Sequence, residues 1–79
     1  MRKILVTGGA GFIGSNLINE LLKEDNIIFV FDNLSTGRLQ NLQLQNKNLS
    51  FYQLDLMSHI KDWPVINELD YIFHFSANA

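Results

Sequence analysis

Thr7-Gly8-Gly9-Ala10-Gly11-Phe12-Ile13-Gly14 follows directly on the apolar run Ile4-Leu5-Val6. Glycines fall at Gly8, Gly11 and Gly14, with a fourth at Gly9. A strand that ends in such a loop and then enters a helix is a phosphate-binding device. Glycine admits positive φ and lets backbone N–H groups approach a ligand that a Cβ would hold off. The helix that follows aims its unpaired N–H donors and positive dipole end at the same place. The run therefore points to a dinucleotide.

On both sides of this loop the chain alternates between strand and helix patterns. Lys3 to Thr7 reads as a short buried strand stopped by Gly8 and Gly9. Phe12 to Glu24 reads as a helix. Ile13, Leu17 and Leu21 recur at i, i+4 and i+8, with Ile18 and Leu22 widening the stripe. Asp25-Asn26 is a turn signal that ends it. Ile27 to Phe31 is a continuous apolar run, and its lack of alternation predicts a strand buried on both faces. Asp32 to Ser50 is a polar connection in which Leu39, Leu42 and Leu44 predict one short helix. Ser50 to Leu54 reads as a third strand, ended by Asp55. A helix is expected within Ser58 to Glu68, broken near Trp63-Pro64 because proline has no N–H to donate. Tyr71 to Phe75 reads as a fourth strand. This order predicts an α/β fold with parallel strands and right-handed crossovers.

Composition narrows the function. With 79 residues the chain is one small domain or a piece of a larger one. Its 47% apolar and 18% charged content is that of a core-forming chain, not a disordered one. A chain this short buries only about 60% of its unfolded surface, so its own core is expected to be marginal. A net charge of −2, with no basic cluster, argues against nucleic acid and anionic membranes as partners. Cysteine is absent, which removes disulfides, thiolate zinc and a cysteine nucleophile, and fits a cytoplasmic setting. The longest apolar runs, such as Ile27 to Phe31, fall far short of the roughly 18 residues a spanning helix needs. Arg2 and Lys3 read as solvating the start of a strand, because only three apolar residues separate them from the Thr7-Gly8 turn.

In open α/β sheets, ligands bind beyond the carboxyl ends of the strands. The four strands end in the glycine loop, Asp32-Asn33, Asp55-Leu56 and Ser76-Ala77-Asn78. A carboxylate about 20 residues beyond the loop accepts hydrogen bonds from the adenosine ribose hydroxyls, and Asp32 sits close to that distance. It also repels a 2′-phosphate, which favours NAD over NADP, whereas Arg38 is the residue that would pair with that phosphate. A plain turn role is the alternative for Asp32. Asp55 reads equally as an acceptor for the adenine amine and as an N-cap or turn residue. Ser35 and Thr36 are ordinary loop residues or partners of the adenosine-side phosphate or ribose. His74 reads as a buried, hydrogen-bonded histidine, His59 as a surface residue, and Phe73 and Phe75 as core. No metal-ligand spacing appears, and no Lys-Ser/Thr follows the glycines, which argues against a Walker-type nucleotide loop.

The glycine run, Asp32-Asn33-Leu34-Ser35-Thr36-Gly37, Asp55-Leu56 and His74-Phe75-Ser76-Ala77-Asn78-Ala79 together resemble the extended short-chain dehydrogenase/reductase family. Within it they are most similar to the NAD-dependent nucleotide-sugar epimerases and dehydratases of the UDP-glucose 4-epimerase type. The resemblance runs from the first strand to the last residue. It implies that residues 1–79 are the N-terminal part of a Rossmann-type, doubly wound parallel sheet of four strands, incomplete and without a second domain. It also implies roles. Gly8, Gly11 and Gly14 form the loop, and Phe12 and Ile13 offer backbone N–H groups to the pyrophosphate. Asp32 holds the adenosine ribose, with Asn33, Ser35, Thr36 and Gly37 around it. Asp55 and Leu56 contact adenine, and Phe75, Ser76 and Ala77 pass beside the ribose on the nicotinamide side. Enzymes of this kind oxidise a sugar hydroxyl by hydride transfer to NAD, act on nucleotide sugars and form homodimers. Their catalytic Tyr followed four residues later by Lys has no counterpart here: Leu56 follows Tyr52 and Phe75 follows Tyr71 at that spacing. The segment alone is therefore expected to be inactive. A non-catalytic dinucleotide sensor is the second reading, and an S-adenosylmethionine methyltransferase the third.

Overall fold

A computed structural model describes residues 1–34, 37–54 and 68–75. Strand β1 is Arg2–Thr7, helix α1 Phe12–Leu21, strand β2 Asn26–Asp32, strand β3 Leu49–Gln53 and strand β4 Tyr71–His74, with a 3₁₀ turn at Leu39–Asn41. The strands form one parallel sheet in the order β3-β2-β1-β4. This is the order of the first four strands of the Rossmann fold, and it fixes the position of the site. The chain steps outward from β1 to β2 and β3, then returns to the other side of β1 with β4. The crevice between β1 and β4 is the topological switch point, where such sheets bind ligands.

The pairing registers sort the side chains. Ile4 and Val6 share a face with Ile28, Val30 and Leu49, and α1 lays Ile18 against them. Ala10 and Leu42 complete this buried cluster. The reverse face carries Leu5 and Phe31, both buried, and the edge of the Phe31 ring meets Tyr52 with centroids 5.7 Å apart. Thus β2 is covered on both sides at Phe31, but Ile27 and Phe29 are only half-buried. The double-sided burial expected for the whole strand holds only for part of it.

Helix α1 keeps Ile18, Leu21 and Leu22 of the expected stripe on its covered face but not Ile13. Its buried residues are Gly14, Ser15 and Ile18, with Leu21 and Leu22 partly covered, whereas Ile13 is 68% exposed. Small residues set this face because they let the helix press close to the loop and to β1. A count of large apolar residues does not register them. The helix also stops at Leu21 rather than Glu24. There the backbone tightens into i→i−3 bonds, Lys23 N–H to Glu20 C=O and Glu24 N–H to Leu21 C=O, both at 3.2 Å. Asn26, buried at the start of β2, donates its side-chain amide to Leu21 C=O at 2.8 Å and so satisfies the helix end.

Between β2 and β3, only Leu42 of the three leucines expected on a short helix is buried, and the turn there is a single 3₁₀ turn. His74 is exposed rather than buried, although hydrogen-bonded as expected, and Phe75 is 37% exposed rather than core. His74 ends β4 and Phe75 follows it at a sheet margin, where no further described strand covers them. The helix expected within Ser58 to Glu68 lies almost wholly outside the described residues. Among the described residues, no helix is long and apolar enough to cross a membrane, and no group of acidic residues, His or Cys is arranged to hold a metal ion.

Candidate functional site

The glycine loop leaves β1 by a bond to the neighbouring strand: Gly8 N–H donates to Phe31 C=O at 2.7 Å. Gly8 then adopts φ 72°, a left-handed conformation that suits glycine. Gly11 N–H returns to Gly8 C=O at 3.2 Å, and Ser15 N–H makes the first helical bond, to Gly11 C=O at 2.9 Å. The N–H groups of Phe12, Ile13 and Gly14 come before that first bond, so they point out of the helix end without intrahelical partners. Gly11 as N-cap supplies no side-chain acceptor, and the first turn holds no acidic residue. The positive end of α1 is left open to an anion.

The glycines of the loop have different reasons to be glycine. A Cβ on Gly14 would lie 2.8 Å from Gly8 O and 2.9 Å from Gly9 Cα, so Gly14 permits helix and loop to touch. One on Gly9 would strike the ends of Ile18 and Val30, both at 2.7 Å, so Gly9 serves the core. Gly11 has φ −73°, and among the described residues its Cβ would meet only Gly8 O at 3.4 Å. Among the described residues, nothing requires glycine there. A Cβ at that point projects into space a bound group would use, which is the role of the middle glycine in a dinucleotide loop. The loop therefore fits a pyrophosphate.

Asp32, at the carboxyl end of β2, is 8% exposed and turned toward this loop. Its Oδ2 accepts Ala10 N–H at 2.9 Å and its Oδ1 accepts Leu34 N–H at 2.7 Å. The second bond is an Asx turn that holds Leu34 in a left-handed conformation, φ 64°. A carboxylate oxygen that accepts one N–H has capacity to accept a second hydrogen bond. Gly37 packs against the same pair: its Cβ would lie 2.7 Å from Ala10 C and 2.9 Å from Asp32 Oδ2. At the other side of β1, Phe75 N–H donates to Thr7 C=O at 2.8 Å, and the buried Thr7 hydroxyl hydrogen-bonds His74 Nδ1.

The structure thus brings Gly8, Gly11, Phe12, Ile13, Gly14, Asp32, Asn33, Gly37 and Phe75 to one rim of the sheet. Ser35, Thr36, Asp55, Leu56, Ser76 and Ala77 lie outside the described residues. Two contributors were not marked as site residues by the sequence. Ala10 is the contact point for Asp32 and Gly37, and Asn41 donates its side-chain amide to Ala10 C=O at 2.9 Å. Asn41 stands in a stretch rich in Gln and Asn, where no spacing singles it out.

Comparison with known proteins agrees with this geometry. The profile of the NAD dependent epimerase/dehydratase family matches residues 4–79. UDP-glucuronic acid decarboxylase 6 of Arabidopsis thaliana is 41% identical over 78 residues, which are 98% of this chain and 22% of that protein. A solved UDP-galactose 4-epimerase superposes with TM-score 0.78 at 39% identity, over 98% of this chain and 24% of that one. The Bordetella bronchiseptica enzyme WbmF, solved with NAD+, gives TM-score 0.82 at 31% identity, over 92% of this chain and 22% of that one. The chain spans between 17% and 22% of the length of the curated relatives it matches.

Proposed function

The chain belongs to the NAD dependent epimerase/dehydratase family, and from that premise we propose that it is the NAD-binding, N-terminal portion of an enzyme that transforms a nucleotide sugar. The observation that carries this reading is the open helix end at Gly11. The N–H groups of Phe12 and Ile13, both exposed residues, come before the first helical bond there, beside a carboxylate already fastened to the same loop.

The roles follow from the atoms. Phe12 and Ile13 N–H groups bind the pyrophosphate, and Gly11 lets it approach. Asp32 accepts the adenosine ribose hydroxyls with its remaining lone pairs, and its charge disfavours a 2′-phosphate. Asn33, Ser35, Thr36 and Gly37 surround that ribose, Asp55 and Leu56 receive adenine, and Phe75, Ser76 and Ala77 line the nicotinamide side at the switch point. NAD, when bound, supplies the hydride acceptor for a sugar hydroxyl. The proton on that hydroxyl is moved by residues outside this segment, because no Tyr here is followed four residues later by Lys. The 79-residue segment is accordingly inactive by itself, and the full-length enzyme is a cytoplasmic homodimer.

Isothermal titration calorimetry of the full-length gene product with NAD+ and NADP+ tests the reading. Saturable NAD+ binding is expected, with NADP+ weaker by about tenfold or more, equivalent to about 1.4 kcal/mol. No binding of either would remove it.

A further inference from the structure

Ala10 is fully buried between two segments of the chain that lie outside the glycine loop. On one side its N–H donates to Asp32 Oδ2. On the other its C=O accepts two donors, Arg38 N–H at 3.0 Å and Asn41 Nδ2 at 2.9 Å. The Asn41 amide reaches across 31 residues of sequence, from a turn that is itself fixed. Within that turn, Asn41 N–H bonds Arg38 C=O at 3.0 Å and Leu42 N–H bonds Leu39 C=O at 2.9 Å, while Leu42 is buried in the core. The donor is therefore delivered by an anchored element.

The carbonyl that Asn41 grips belongs to the peptide joining Ala10 to Gly11. That peptide is planar, so fixing its oxygen also fixes the Gly11 N–H and the direction in which the chain enters α1. The next N–H groups along the chain are those of Phe12 and Ile13. We infer that Asn41 is a positioning residue for the dinucleotide's pyrophosphate: its side-chain amide locks the Ala10–Gly11 peptide plane and so aims the first free N–H groups of α1. The inference rests on the reading of this loop as an NAD site. It requires a donor at position 41, since an ionised carboxylate of the same shape would turn only acceptors toward the Ala10 oxygen.

The test uses Asn41→Ala and Asn41→Asp in the full-length gene product, with affinities for NAD+ by calorimetry and for adenosine by ligand-observed NMR. Adenosine carries the ribose and base but no phosphate. Loss of one hydrogen bond predicts NAD+ binding about three- to tenfold weaker in Asn41→Ala. Asn41→Asp should lose at least as much at neutral pH, with adenosine affinity retained in both. Two results overturn the inference: NAD+ binding equal to wild type in both variants, or NAD+ and adenosine affinities falling together, as a general loosening of the fold would produce. Wild-type protein that fails to bind NAD+ would instead remove the underlying reading, and this inference with it.

Discussion

The Asp32 carboxylate and the Ala10 amide are joined by a buried hydrogen bond of 2.9 Å, which ties the end of β2 to the middle of the glycine loop. The residue expected to hold the ribose also organises the segment expected to hold the pyrophosphate. The two halves of the proposed NAD site are therefore coupled through one side chain.

That coupling makes Asp32 a stability determinant as well as a proposed ligand group. In Asp32→Asn, one of the two carboxylate acceptors becomes an NH₂ that faces a backbone N–H. A loss of about 1–3 kcal/mol is expected, the range for leaving a buried partner unsatisfied. Urea denaturation of the full-length protein measures it. An unchanged midpoint would mean that the amide left facing the NH₂ finds another acceptor.

Gly11 and Gly14 should separate binding from folding. Among the described residues, the Cβ of Gly11→Ala meets only Gly8 O, at an ordinary contact distance of 3.4 Å, so its stability cost should stay within about 1 kcal/mol, the scale of an N-cap change. NAD+ affinity should nevertheless fall by more than about tenfold, because the new Cβ occupies the approach of the pyrophosphate. Gly14→Ala, 2.8 Å from Gly8 O, should cost about 1–3 kcal/mol through overpacking. Calorimetry beside thermal melts distinguishes the two patterns, and equal stability losses at both positions would contradict the assignment.

Strand β4 is held to β1 at the switch point by the buried Thr7 hydroxyl and His74 Nδ1. Thr7→Val keeps the shape and removes the hydroxyl. A loss of about 0.5–1.5 kcal/mol is expected. A double-mutant cycle with His74→Ala should recover much of that as coupling. Zero coupling would show that the two side chains are energetically independent.

Much of this fold could be read from residue order. The apolar runs placed β1, β2, β3 and β4 to within a residue or two, and the alternation with polar connections predicted their parallel pairing. Glycine spacing located the loop, and the position of Asp32 located its partner. What escaped was set by small or distant groups. Ile18, Leu21 and Leu22 lie on the covered face of α1 as expected, but Gly14 and Ser15 share that face while Ile13 is exposed, which a count of large apolar residues does not register. Asn41 reaches Ala10 only because the 3₁₀ turn returns the chain to the loop, a contact with no local signature. His74 looked buried because its neighbours are apolar, but it ends a strand at the sheet margin and is exposed.

That margin has its own consequence. Tyr71 is 51% exposed and Ile72 63%, and no described strand pairs with β4 on the side away from β1. An unpaired edge with exposed apolar residues is a template for association. Expressed as residues 1–79 alone, the segment should elute as oligomers or aggregate in size-exclusion chromatography. A monomeric peak with a sharp two-state melt would contradict this.

A crystal structure of the full-length protein grown with NAD+ tests the central claim most directly. It should show the pyrophosphate oxygens accepting hydrogen bonds from Phe12 and Ile13 N–H above Gly11, and the adenosine ribose hydroxyls on Asp32 while Asp32 still holds Ala10. Cofactor density elsewhere, with the α1 N-terminus contacting only solvent, would contradict it.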